Sequence, residues 1–345
     1  MTIVKTKHGL MKIIESDAVV SNSLQVYGEW AYKELTLMKK FILPGMSVLD
    51  VGAFIGSHTL AFSDFVGSFG KVYAFEPRKE IYSILKENIQ LNAVSNVEVF
   101  NIGLSDKNAK LYLEHVDIGV DGNFGGLALD VDAVLEKEEL YGVDILTIDL
   151  LELTSVDFIK LDVEGIELNV LNGAKRTIIK NTPAIFCECN TLASAGGILE
   201  FAKNIGYRVF GVLSSAFNEQ NYNLNEDNVF SNAQEFGLFL IPSSISNNSN
   251  DLHEYFNDSL EIFDLDDVVL PMLHKPQYPY EVLKNTALFN KMGFYFPSPK
   301  LELIESEKKN LHVALLNIEQ ELTDAQSQLT DTQSQLTDTQ SQLTD

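Results

Sequence analysis

Between about residue 41 and residue 242, short runs of β-branched and apolar residues alternate with stretches of helical periodicity, an order that few architectures accept. Parallel strands need a crossover connection, and the crossover helix must bury its apolar stripe on the sheet. The pattern therefore predicts an α/β domain with a mostly parallel sheet covered on both faces. The expected strands are 47–51, 71–75, 97–101, 157–161, 184–188, 207–212 and 237–241, and the expected helices 58–66, 78–91, 166–180 and 197–205. Residues 104–156 interrupt the alternation with Asp121-Gly122 and Gly125-Gly126. They are expected to form a hairpin or loop region over the carboxyl edge of the sheet, where specificity loops gather.

Outside this core the pattern changes. Residues 1–40 read as a lead-in, 41–242 as the catalytic-type domain, and 243–300 as a Ser/Asn linker followed by an acidic, aromatic extension. From residue 301 a heptad runs to the end. Leu301, Leu315, Leu322, Leu329, Leu336 and Leu343 share one position, with Lys308 as the exception. Ile304, Leu311, Ile318, Ala325, Thr332 and Thr339 recur three residues later. That spacing predicts a coiled-coil tail over 301–345, weaker where Thr replaces the aliphatic residue, and an oligomer is expected through it.

Charge narrows the partners. The 25 basic and 49 acidic residues give a formal charge of −24, which opposes binding to phosphate backbones or anionic lipid, so neither nucleic acid nor a membrane surface is expected. No apolar run reaches the ~18 residues of a membrane span, and the N-terminus lacks the apolar core of a signal peptide. The two cysteines, Cys187 and Cys189, stand two apart in an apolar run, where they neither bridge well nor complete a zinc site. A soluble cytoplasmic chain is expected.

Three segments carry chemistry. In Val48-Leu49-Asp50-Val51-Gly52-Ala53-Phe54-Ile55-Gly56, an apolar strand runs through an acid into two glycines spaced four apart and then a helix. The spacing is neither that of a dinucleotide fingerprint nor that of a P-loop. No Lys or Arg follows before Val66, so the turn suits a cationic ligand, one with a sulfonium and an ammonium, better than a pyrophosphate. In Val72-Tyr73-Ala74-Phe75-Glu76-Pro77, a strand ends in Glu76, placed to accept from both hydroxyls of a ribose. In Phe158-Ile159-Lys160-Leu161-Asp162-Val163-Glu164-Gly165, a strand delivers two acids to the same edge, where Asp162 or Glu164 can polarise an acceptor hydroxyl. Glu188, at the end of the next strand, is a third candidate base. Glu167 reads as a helix N-terminal acid. Such acids could share a divalent metal, but the sequence alone assigns none.

Taken together, Asp-Val-Gly-Ala-x-Ile-Gly-Ser-His-Thr, Ala-Phe-Glu-Pro, Gly-Leu-Ser-Asp, Ile-Lys-Leu-Asp-Val-Glu-Gly-Ile-Glu and Leu-Asn-Gly-Ala resemble the FkbM-like methyltransferase family over about residues 28–242. The resemblance implies a doubly wound, seven-stranded class I fold, S-adenosylmethionine as cofactor, and methylation of a hydroxyl on a sugar, glycan or related small molecule. It places Asp50, Gly52, Ala53, Gly56 and Thr59 at the methionine end, Glu76 at the ribose, and Asn101, Gly103 and Leu104 at the adenine. His58 would look toward the cleft or serve only the helix start. The family usually has Asn where this chain has Phe54, which bears on cofactor affinity. A second reading, a degenerate fold acting as a scaffold through its coil, draws on Phe54. A nicotinamide dehydrogenase conflicts with the glycine spacing.

Overall fold

The chain opens with a hairpin, β1 (Ile3–Thr6) and β2 (Gly9–Lys12), then α1 (Val20–Tyr27) and α2 (Tyr32–Met38). The alternating core follows as β3 (Ser47–Val51), α3 (Ser57–Val66), β4 (Lys71–Phe75), α4 (Lys79–Leu91) and β5 (Val97–Phe100). After it come β6 (Gly103–Leu104), β7 (Ala109–Glu114), β8 (Leu140–Leu146) and β9 (Phe158–Leu161). The second half holds α5 (Glu167–Gly173), α6 (Lys175–Asn181), β10 (Ala184–Glu188), α7 (Leu192–Asn204), β11 (Tyr207–Ser215) and β12 (Gln234–Pro242). The last elements are β13 (Leu260–Ile262) and α8 (Leu265–Leu273). This computed structural model describes residues 2–127, 140–244, 256 and 260–273, all within one unit, Met1–Thr286.

The main sheet has the order β13-β11-β12-β10-β9-β3-β4-β5. From β10 to β5 every pairing is parallel, and β12 enters antiparallel between β10 and β11. Successive residues of a strand face opposite sides, and the core divides accordingly. Leu49, Val51, Ile159, Leu161, Ile185 and Cys187 pack on one face. Val48, Phe62, Phe158, Phe186 and Phe239 pack on the other. Both cysteines are buried in the first of these cores and form no disulfide.

All seven expected strands are present, and the structure adds an eighth. β13 pairs with β11 at the edge, tied by the Arg208 guanidinium, which donates from Nε and one terminal nitrogen to the two oxygens of Glu261 at 2.7 Å each. β13 and α8 lie within the extension expected after the Ser/Asn linker. The expected helix 166–180 is broken into α5 and α6. At Gly173 a Cβ would stand 2.0 Å from the Ser105 carbonyl oxygen, and Ala174 leaves helical geometry at φ −108°, ψ 4°. The interruption at 104–156 contains the expected antiparallel pair, β7 with β8, joined by β6 into a separate three-stranded sheet. The predicted coiled coil at 301–345 lies outside the described residues. Among the described residues, no helix is long and apolar enough to cross a membrane.

Candidate active site

β3 lies between β4 and β9, where the strand order reverses, so the carboxyl ends of these strands open a crevice. A cavity of about 280 Å³ fills it. Its floor is the turn after β3, its walls follow β4, β6, β9 and β10, and its cover comes from Trp30 of the lead-in and Phe124 of the insertion. Gly122 bridges to Asp17, which holds these two covering segments together.

The turn is closed on itself. The amides of Gly52 and Ala53 both donate to the Phe75 carbonyl, at 3.1 and 3.0 Å, and that of Gly56 donates to the Ala53 carbonyl at 2.9 Å. The amides of Gly52, Ala53 and Gly56 are thus already engaged within the turn. Gly52 has φ +77°, and a Cβ there would lie 1.8 Å from the Asp162 carbonyl oxygen, so only glycine lets the end of β9 approach this closely. Phe54 holds φ +49°, and its amide donates to Glu76 Oε2 at 3.1 Å. The departure at this position therefore keeps its backbone contact.

Glu76 lines the cavity from the end of β4. It also accepts from the Arg78 amide at 2.8 Å, and burial pushes its carboxyl up to about 7 despite both amides. Gly103 and Leu104 line the same end of the cavity. Asn101 does not. Its amide donates to the carbonyls of Glu76 and Pro77, at 2.9 Å each, and so fixes the loop that carries Glu76.

Asp50 is fully buried and does not itself line the cavity. Thr59 Oγ1 donates to its Oδ2 at 2.6 Å, and the Lys160 ammonium stands 3.3 Å from its Oδ1. Burial raises the Asp50 carboxyl, opposed by the Lys160 charge and the Thr59 hydroxyl. The charge expected from a ligand is thus met from within the chain. Asp50 and Lys160 are cross-strand partners of β3 and β9, so register alone puts them side by side. Thr59 and Gly56 share this supporting role beneath the cavity, since neither lines it.

The three candidate bases do converge. Asp162, Glu164 and Glu188 each bring a carboxylate oxygen within 4.8 Å of the others. Lys160 stands 3.2 Å from Asp162 Oδ2. Burial raises the Asp162 carboxyl, but the Lys160 charge and a hydrogen bond from Glu188 outweigh it and hold the group below its ordinary range. Glu188 is pushed well up by burial and by the carboxylates of Asp162, Glu164 and Glu235, so it carries the proton of this pair. The Asn190 amide donates to Glu188 Oε2 at 3.0 Å. The arrangement sets an acid held low, Asp162, beside an acid pushed up, Glu188, with an ammonium behind them.

His58 lines the cavity but is 93% buried, and its Nε2 has no hydrogen-bond partner among the described residues. Burial, with the nearby Lys160 charge, lowers it to about 3, so the ring is neutral. Sequence reasoning missed Lys160, Trp30, Phe124 and Glu235. Only Lys160 left a local signal, a lone cation in an apolar strand.

Residues 50–209 match the family model described as methyltransferase FkbM domain. Over 92 residues the chain is 33% identical to a probable cobalt-precorrin-6B C(15)-methyltransferase (decarboxylating) of Sulfurisphaera tokodaii, covering 27% of this chain and 45% of that protein. The chain thus spans less than half the length of this relative. A methyltransferase FkbM structure from Methylobacillus flagellatus is similar at 18% identity and a TM-score of 0.37, covering 56% of this chain and 43% of that one. A precorrin 8w decarboxylase structure from Methanobacterium thermoautotrophicum is similar at 13% identity and a TM-score of 0.40, covering 67% of this chain and 99% of that one. Residues 50–209 are thus similar to the methyltransferase FkbM domain.

Proposed function

We propose that the protein is an S-adenosylmethionine-dependent O-methyltransferase acting on a hydroxyl of a sugar, glycan or related small molecule. The observation that carries this reading is the layout of the cavity, with one carboxylate, Glu76, on the β4 side and the Asp162, Glu164 and Glu188 cluster on the β9 and β10 side. Glu76, Gly103 and Leu104 fit an adenosine, and the turn at Gly52 and Ala53 forms the floor for the rest of the cofactor. The cofactor supplies an electrophilic methyl group on a sulfonium.

This chain's residues handle the proton. As the new O–CH₃ bond forms and the S–CH₃ bond breaks, the acceptor hydroxyl must lose its proton, and Asp162, kept ionised, is placed to take it. Glu188, already protonated, holds Asp162 in place, and Glu164 lies beside both. Trp30 and Asn190 in the cavity wall suit the stacking and hydrogen bonding of a neutral, hydroxyl-rich acceptor. The charge of −24 favours such an acceptor over nucleic acid. Calorimetry with S-adenosylmethionine against NAD, followed by a labelled-methyl assay on glycan and lipid extracts, tests the reading. Binding of the first ligand and label in a glycan are expected; failure to bind S-adenosylmethionine would sink it.

A further inference from the structure

We propose that Lys160 is a positioning residue that clamps the cofactor turn to the acid wall of the cavity, and so sets the spacing between methyl donor and proton acceptor. The inference rests on the S-adenosylmethionine reading of the site. Lys160 donates to the Gly52 carbonyl oxygen at 2.8 Å, and its ammonium forms ion pairs with Asp162 Oδ2 at 3.2 Å and Asp50 Oδ1 at 3.3 Å. The first belongs to the turn, the second to the cavity wall and the third to the sealed floor. Lys160 is itself 2% exposed, so water does not substitute for any of these contacts.

A buried ammonium is costly unless it is paired, and here two carboxylates more than offset that cost, holding it in its charged form. Other groups that feel it are His58, from α3, and Glu76, from β4. The turn and the acid wall come from different strands, β3 and β9, and meet where the Asp162 amide donates to the Val51 carbonyl at 3.1 Å and where Gly52 approaches the Asp162 carbonyl. Lys160 adds a charged tie across the same junction. Its second effect is electrostatic: it compensates Asp162, so the wall does not bind a sulfonium too tightly in the ground state. Arg is no equivalent, because its planar fork cannot converge on three acceptors around one nitrogen.

The test compares wild type, Lys160→Arg and the double variant Asp50→Asn with Lys160→Met, which removes the buried pair together and spares the fold an unpaired buried charge. Affinities for S-adenosylmethionine and for S-adenosylhomocysteine, which lacks the sulfonium, are measured by calorimetry at pH 8, with thermal melts as folding controls. The double variant should lose at least tenfold in S-adenosylhomocysteine affinity and less in S-adenosylmethionine affinity, so that the ratio of the two rises. Lys160→Arg should weaken both while keeping the wild-type ratio. Equal weakening of both ligands in the double variant means a structural role alone and overturns the proposal, as do unchanged affinities. A wild-type chain that binds neither ligand removes the functional reading itself, a result distinct from a wild type that binds and variants that bind equally well.

Discussion

The space that a side chain on Gly52 would need is occupied by the carbonyl oxygen of Asp162, 1.8 Å from where the Cβ would stand. The cofactor turn and the end of β9 therefore share one close backbone contact. Gly52→Ala must strain a φ of +77° and push β9 away, a cost on the order of 2–5 kcal/mol from left-handed strain and overpacking together. Thermal denaturation should show a melting point lowered by several degrees, with cofactor binding lost. An unchanged melting point would place the turn differently.

Glu76 links binding to pH. Its folded-state value of about 7 lies above the ordinary 4.5, so the folded chain binds more protons than the unfolded one between those values, and stability falls as pH rises through that window. The full effect is roughly 3 kcal/mol as an upper figure. Denaturant titrations of the free protein from pH 4.5 to 8 should show this decline, and Glu76→Gln should flatten it. Cofactor affinity should move the other way, strengthening as the carboxylate ionises. Glu76→Ala should cost at least tenfold, about 1.4 kcal/mol, in a calorimetric Kd.

His58 carries the opposite sign. A base held at about 3 binds fewer protons folded than unfolded below its ordinary 6.5, so its contribution is present at neutral pH and lost as pH falls. Between pH 6 and pH 4 the loss should be about 2 kcal/mol. His58→Gln should be less sensitive than wild type over that interval in urea denaturation. Equal sensitivity would mean that the ring titrates normally.

The acid cluster should separate binding from chemistry. Asp162→Asn keeps shape but cannot take a proton, and its transfer rate should fall roughly 10²–10⁴-fold while the cofactor still binds. Glu188→Gln replaces a group that is already protonated and should lose much less. Glu164→Gln should fall between them. Once an acceptor is in hand, single-turnover rates will rank the three, and a wild-type rate for Asp162→Asn would transfer the role of base to another group.

The Arg208–Glu261 pair braces the edge strand β13. Glu261→Gln weakens a two-pronged contact with Arg208 that is about one-fifth exposed on each side, a loss of about 1 kcal/mol. Hydrogen exchange should quicken at residues 260–262 while the amides of β3 and β9 keep their protection. Uniform behaviour across the sheet would show that the pair does not hold this strand.

Much of this protein was legible in the order of its residues. Alternating apolar runs gave the bounds of β3, β4 and β10 to the residue, because strands buried on both faces must be apolar throughout and their ends are marked by Gly, Pro or an acid. The same logic delivered Glu76, Asp162, Glu164 and Glu188 to one edge of the sheet. What local pattern could not supply was register and long-range cover. Asp50 and Lys160 are 110 residues apart in chain order and become partners only when β3 and β9 pair. That register makes the Asp50 carboxylate and the Lys160 ammonium a buried ion pair. Trp30, Phe124 and Glu235 reach the cavity from three remote segments, and nothing in their neighbours announces it. The break between α5 and α6, and β13 at the sheet edge, were likewise decided by contacts between distant backbones. Periodicity reports which face of an element is buried, and only the packed structure decides against what.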